Sequence, residues 1–303
     1  MLVSFFFIIR SLYAMRADIG QLDNLAYILA LCGVFALLFV TAVYALGLSF
    51  RFILAFLSNR KLGFWEPLAV YTRANLCKYL PGNVMHLVAR NVYAKKLNIS
   101  QSQMAFGSLL DILFSAGLTF LFCAIFAGRL FFVLLGRYLP WGWYLLGGFA
   151  LLFILAALLW IFRKTKRLTA WRESFLVQMR QMKAGALARL SLKLTGVLMF
   201  FHLVAGLMFF FLLQTIAPVQ DTNLLLVLPA YMMAWLLGYI TPGAPGGLGV
   251  KEAILTLMLA DVYGAAAVLV AALLFRGVTI TADVLAFCFI RLATNLTKRK
   301  GHA

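Results

Sequence analysis

Two stretches of this sequence carry side chains able to do chemistry in an otherwise hydrocarbon setting. The first runs Tyr71-Thr-Arg-Ala-Asn-Leu-Cys-Lys-Tyr-Leu-Pro-Gly-Asn-Val-Met-His-Leu-Val-Ala-Arg90 and contains no acid. Before Pro81, Arg73 and Lys78 lie five apart, and Tyr71, Asn75 and Lys78 share one helical face; after Gly82, His86 and Arg90 stand at i and i+4. Pro81-Gly82 lets the chain turn, and Asn83 is placed to cap the next helix, whose free N–H groups and positive dipole end then face the turn. A helix N-terminus with Arg73, Lys78 and Arg90 nearby is, in physical terms, a phosphate cradle. Leu80, Val84, Leu87 and Val88 interleave with the bases, as in a segment that dips into a bilayer, where a base costs roughly 2.5–3.5 kcal/mol on insertion scales. The plainer alternative is an amphipathic linker whose bases only touch headgroups.

The second stretch is Thr241-Pro-Gly-Ala-Pro-Gly-Gly-Leu-Gly-Val-Lys-Glu252. Its glycines free the backbone for positive φ and close approach to a ligand, its prolines end the preceding helix, and Lys251-Glu252 put both signs in the first turn of the next. Glu252 suits that helix dipole and has Arg73, Arg90 or Arg276 as possible partners across a bundle. A simple bend between two helices is the alternative, although one glycine or proline would be enough for that.

The elements that hold these stretches must be membrane helices. Of 303 residues 64% are hydrophobic and 12% charged, well beyond the apolar share of a soluble domain. Runs of about 20 apolar residues can cross some 30 Å of hydrocarbon; the clear ones are Leu25–Leu57, Met104–Ala127, Trp141–Phe162 and Leu194–Ile216. Leu2–Ala14, interrupted by Arg10, reads as a marginal first span rather than a signal peptide, since no small-residue cleavage site follows. Leu224–Ile240 and the run from Lys251 to Ala260 flank the Gly/Pro break and resemble a re-entrant hairpin of the kind that builds substrate sites in transporters. Ala265–Leu274 and Val278–Leu292 are either two thin spans or one long helix kinked at Arg276-Gly277. The expected fold is an all-α polytopic bundle, a single domain over residues 1–303, with about seven or eight membrane segments broken at the two Pro-Gly motifs.

Charge sets the expected topology. Twenty-seven Lys and Arg stand against nine Asp and Glu, a net charge of +18. Arg163, Lys164, Lys166, Arg167, Arg172, Arg180, Lys183, Arg189 and Lys193 face only Glu173, so the loop 163–193 is expected on the cytoplasmic side of an inner membrane, with Lys298-Arg299-Lys300 placing the C-terminus there too. Cys32, Cys77, Cys123 and Cys288 are scattered, without a metal-ligand or disulfide pattern. No DxD, HExxH, GxSxG or Walker pattern appears, which lowers the case for metal-dependent glycosyl transfer, zinc hydrolysis and nucleotide hydrolysis; no cofactor or metal is expected. Asp111, Asp261 and Asp283 lie within or beside apolar runs, and a membrane carboxylate is a functional candidate by default; for Asp111 the readings are proton binding or pairing with an arginine, with an ion pair that only fixes helix packing as the equal alternative. His202, on an apolar helix, is expected to hydrogen-bond to a neighbour.

Lys78-Tyr79-Leu-Pro81-Gly82 with Arg90 downstream, and Pro245-Gly246-Gly247-Leu-Gly249-Val-Lys251-Glu252 followed by Arg276, resemble the two hallmark segments of the lysylphosphatidylglycerol synthase transmembrane family, also called flippase-like. The resemblance covers nearly the whole chain. It implies a helical lipid translocase with re-entrant helices, some relatives moving aminoacylated phosphatidylglycerol and others being linked to polyprenyl-phosphate or glycolipid pathways. From the two stretches together with Arg276, the candidate substrate-binding residues are Arg73, Lys78, Tyr79, Pro81, Gly82, Asn83, His86, Arg90, Pro245, Gly246, Gly247, Gly249, Lys251, Glu252 and Arg276. The family more often has Arg where Lys251 stands, which keeps the charge but not a bidentate fork. With membrane segments and short loops taking nearly every residue, no room is expected for the soluble aminoacyl-transferase domain of the full synthases. The expectation is a transporter for an anionic or phosphate-bearing lipid, with no ATP site and no nucleic-acid partner, and with a homodimer or a lipid-modifying enzyme as possible partner. The rivals are a membrane-embedded headgroup transferase, using His86 or Glu252 as base, and a non-catalytic partner subunit.

Overall fold

The computed structural model describes residues 25–80, 85–93, 97–138, 184–220, 224–241 and 243–300, all of it helix, turn and loop. In chain order these are α1 (Leu25–Ser58), α2 (Trp65–Asn75), a 3₁₀ turn (Leu76–Tyr79), α3 (Met85–Tyr93), α4 (Gln101–Tyr138), α5 (Ala184–Ile216), α6 (Leu224–Ile240), a second 3₁₀ turn (Pro245–Gly247), α7 (Val250–Tyr263) and α8 (Ala265–Lys300). The expected first span Leu2–Ala14, the span Trp141–Phe162, residues 163–183 of the basic loop and the Pro81-Gly82-Asn83 turn lie outside the described residues.

Among the described residues four helices are long and apolar enough to cross a bilayer: α1, α4, α5 and α8. Each keeps large apolar side chains on its outer face, such as Leu29, Leu37 and Leu38 on α1 and Leu113, Leu121 and Ile125 on α4. In water that exposure would be a liability; against lipid it is the natural outer surface of an all-α membrane bundle. The largest interface joins α1 to α5. On α5 the buried positions Leu190, Leu194, Leu198, Phe201, Ala205, Met208 and Leu212 recur every three or four residues, the seam of near-parallel helix packing. That seam corrects the expected loop boundary. Residues 184–193 are not loop but the first turns of α5, because Leu190 continues the buried stripe of the span itself.

Alpha6 is buried on every side from Val227 to Leu236, so it runs through the centre of the bundle, where an all-round apolar helix belongs. Gly206 of α5 admits it closely, since a Cβ there would lie 2.3 Å from Leu228 Cδ1. With 17 residues α6 spans about 25 Å, and α7 with 14 about 21 Å, both short of the hydrocarbon core. Between the two alternatives for the last third, the structure has a single unbroken α8 through Arg276-Gly277. Phe39 (α1), Phe209 (α5), Tyr231 (α6) and Phe275 (α8) meet edge-on or tilted at centroid distances of 5.6–5.8 Å and tie the four helices together.

Candidate functional site

The two broken segments are shaped by their own residues. Leu80 is extended (φ −78°, ψ 153°), the conformation favoured before Pro81, and it ends the 3₁₀ turn that continues α2. At the second break Gly246 (φ +62°), Gly247 (φ +76°) and Gly249 (φ +83°) take left-handed backbone that other residues adopt only with strain. Gly249 caps α7, and Glu252, three residues on, folds back so that its Oε2 accepts the Gly249 N–H at 2.8 Å, one half of a capping box. The two 3₁₀ turns touch: a Cβ on Gly246 would stand 3.2 Å from the Tyr79 ring.

Where they meet, a cavity of about 120 Å³ opens inside the bundle. Of the residues expected at a site, Lys78, Tyr79, His86, Arg90, Gly246, Lys251, Glu252 and Arg276 line it. His86 and Arg90 are the buried face of α3, as their i, i+4 spacing requires. Pro245, Gly247 and Gly249 shape the second break beside it. Arg73 is elsewhere: exposed, with its guanidinium 4.7 Å from the centre of the Tyr93 ring. Pro81, Gly82 and Asn83 lie outside the described residues.

The expected cluster of free bases is replaced by three ion pairs, each joining different elements. Lys78 Nζ lies 2.7 Å from Asp283 of α8, which also accepts hydrogen bonds from Asn75 Nδ2 at 2.7 Å and from the Tyr79 hydroxyl. Arg90 Nη1 donates to Asp111 of α4 at 2.8 Å, and its guanidinium is packed between the rings of Phe50 and Tyr71, at 4.7 and 5.0 Å. Arg276 Nη1 pairs with Glu252 while its Nη2 donates to the Gly246 carbonyl at 2.8 Å, so one guanidinium ties α8 to both sides of the second break. Asp111, Glu252, Arg276 and Asp283 are all buried. Acid-free in sequence is therefore not acid-free in space: the carboxylates arrive from α4, α7 and α8.

Asp111 pairs with an arginine, one of the roles its place in an apolar run suggests, and Asp283, likewise marked in sequence only by its apolar surroundings, pairs with Lys78. The residues overlooked are Tyr231, Trp235 and Tyr239, at i, i+4 and i+8 of α6, which form an aromatic wall of the cavity with Trp235 and Tyr239 stacked at 4.8 Å. Asp261 is exposed. His202 faces Thr119 Oγ1 at 2.8 Å, a hydrogen bond between α5 and α4. Among the described residues no group of three or more His, Cys, Asp or Glu is positioned to hold a metal.

What this arrangement can do chemically is limited and specific. It holds Lys78, Arg90 and Arg276 each against a carboxylate, in positions where an anion could take the carboxylate's place. Glu252 has one oxygen held by Arg276 and the other by the Gly249 N–H. The family model described as lysylphosphatidylglycerol synthase TM region matches residues 1–286. No curated protein matches the chain.

Proposed function

From the premise that this multi-pass membrane protein belongs to the lysylphosphatidylglycerol synthase TM region family, we propose that it moves an anionic or phosphate-bearing lipid between leaflets, as a transporter and not as an enzyme. The observation that carries the reading is the convergence of the 3₁₀ turn Leu76–Tyr79, α3 and the second break, with their ion pairs, on one cavity.

The physical mechanism is exchange of partners. A buried cation stripped of its carboxylate costs several kcal/mol, whereas swapping a carboxylate for a phosphate oxygen leaves the cation compensated throughout. Asp111, Glu252 and Asp283 thus compete with the ligand for Arg90, Arg276 and Lys78. The competition keeps binding weak enough for release, which any conducting site requires. Alpha6 and α7, each too short to cross alone, are read as a re-entrant pair that carries irregular backbone to membrane depth under protein cover. The acyl or prenyl chains stay in lipid. The positive-inside rule puts the basic stretch 163–193 and the C-terminus on the cytoplasmic face of an inner membrane.

Leaflet exchange of a fluorescent anionic lipid in proteoliposomes tests the reading. Arg90→Ala and Glu252→Gln are expected to change the exchange rate at least tenfold; rates equal to wild type for both contradict it.

A further inference from the structure

Counting charges around the cavity gives more than the existence of a site. Among the described residues its lining holds Lys78, Arg90, Lys251 and Arg276 against Asp111, Glu252 and Asp283, four strong bases against three acids. Three cations are consumed one-to-one by the three carboxylates. Lys251 is left: among the described residues no carboxylate lies within ion-pair distance of its ammonium and no hydrogen bond holds it. Its stem is pressed into a slot between two backbones. A Cβ on Gly238 would lie 2.7 Å from Lys251 Cγ, and one on Gly247 would lie 2.9 Å from Lys251 Cε. Two glycines, one on α6 and one in the second break, thus make the room that holds this side chain beside the cavity.

We infer that Lys251 is the charge-selecting residue of the cavity and that the cavity takes a headgroup of net charge −1, a phosphodiester lipid. The inference rests on the proposed lipid transport and narrows its substrate class. A site with one surplus positive charge is neutralised by one phosphodiester. A phosphomonoester or diphosphate brings excess negative charge among three resident carboxylates, and a headgroup that adds a cationic aminoacyl group to the phosphodiester brings the total back to a buried surplus of positive charge. Both are disfavoured by the same rule that a buried charge must be paired. The wall of Tyr231, Trp235 and Tyr239 supplies apolar faces and no further charge.

Unlike the paired residues, Lys251 loses no partner when it is neutralised, so its variants separate charge from folding. The purified full chain is heated in neutral detergent with no lipid, with phosphatidylglycerol, with phosphatidic acid, with lysyl-phosphatidylglycerol or with phosphatidylcholine, and leaflet exchange of the same lipids is followed in liposomes. Wild type is expected to be stabilised by phosphatidylglycerol alone and to exchange it at least tenfold faster than the others. Lys251→Met is expected to unfold at or above the wild-type temperature without lipid and to lose both the phosphatidylglycerol-dependent shift and the preference; Lys251→Arg restores both. A lipid-free unfolding temperature lowered by Lys251→Met, or a phosphatidylglycerol preference that survives it, overturns the inference. So does wild-type exchange that favours the dianionic, cationic or zwitterionic lipid. If wild type exchanges no lipid at all, it is the transport reading that fails.

Discussion

Replacing Glu252 by Gln removes the carboxylate from the most constrained ion pair of the cavity and leaves the other two ion pairs in place. In the native protein Arg276, only 6% exposed, donates to Glu252 and to the Gly246 carbonyl, and Glu252 in turn accepts the Gly249 N–H. The amide retains one acceptor oxygen, so it can keep either the cap or the guanidinium contact, but Arg276 becomes a buried cation without a counter-charge. Removing one partner of a buried pair costs about 3–5 kcal/mol. Arg276→Met in the same background removes the orphaned charge and fills similar volume, so the double variant should recover most of that loss. A double-mutant cycle on Glu252→Gln and Arg276→Met, read by reversible unfolding in mixed micelles with helical circular dichroism, is expected to give a coupling energy of about 2 kcal/mol or more. A coupling below about 0.5 kcal/mol refutes the pairing as a structural link between α7 and α8.

Gly247→Ala forces a side chain into left-handed backbone and puts its Cβ 2.9 Å from Gly238 Cα, so a loss of at least about 2 kcal/mol is expected by the same unfolding measurement. Gly206→Leu, driven against Leu228 at the α5–α6 contact, should cost a further 1–3 kcal/mol, typical of overpacking, with no selective effect on lipid preference in the exchange assay. Arg73→Ala, outside the cavity and packed on Tyr93, should leave leaflet exchange within about twofold of wild type, in contrast to Arg90→Ala.

How far the sequence carries depends on which residues are asked. Alpha1, α4 and α5 were legible because their apolar runs exceed the length that hydrocarbon demands. Alpha8 was ambiguous because Arg276-Gly277 looks like a break; it is not one, since Arg276 faces its partner Glu252 inside the bundle and the helix passes through unbroken. The start of α5 was placed too late because its bases suggested loop, while the buried Leu190 that extends the helix is a single residue among charges.

The site itself was half legible. The two motifs could be singled out, and the pairing of Glu252 with one of three arginines was foreseen without choosing Arg276. Helical spacing put Arg73 near Lys78 but could not say that α2 turns it outward. Nor could a one-dimensional reading show that the acid-free segment meets Asp111 and Asp283, which are tertiary contacts across long chain separations. Tyr231, Trp235 and Tyr239 have a visible four-residue period, yet in a helix apolar on all sides no face is marked as facing a cavity.

The most direct test of lipid passage through the cavity leaves all its charges alone. Thr279 lines the cavity on α8, one turn before Asp283, and its hydroxyl only bonds its own helix, to the Arg276 carbonyl at 2.9 Å. Thr279→Trp fills the space while keeping the three ion pairs and Lys251. Exchange of fluorescent phosphatidylglycerol between leaflets should fall to the rate of protein-free liposomes with this variant folded and inserted. Exchange at the wild-type rate through a plugged cavity would contradict transport by this route.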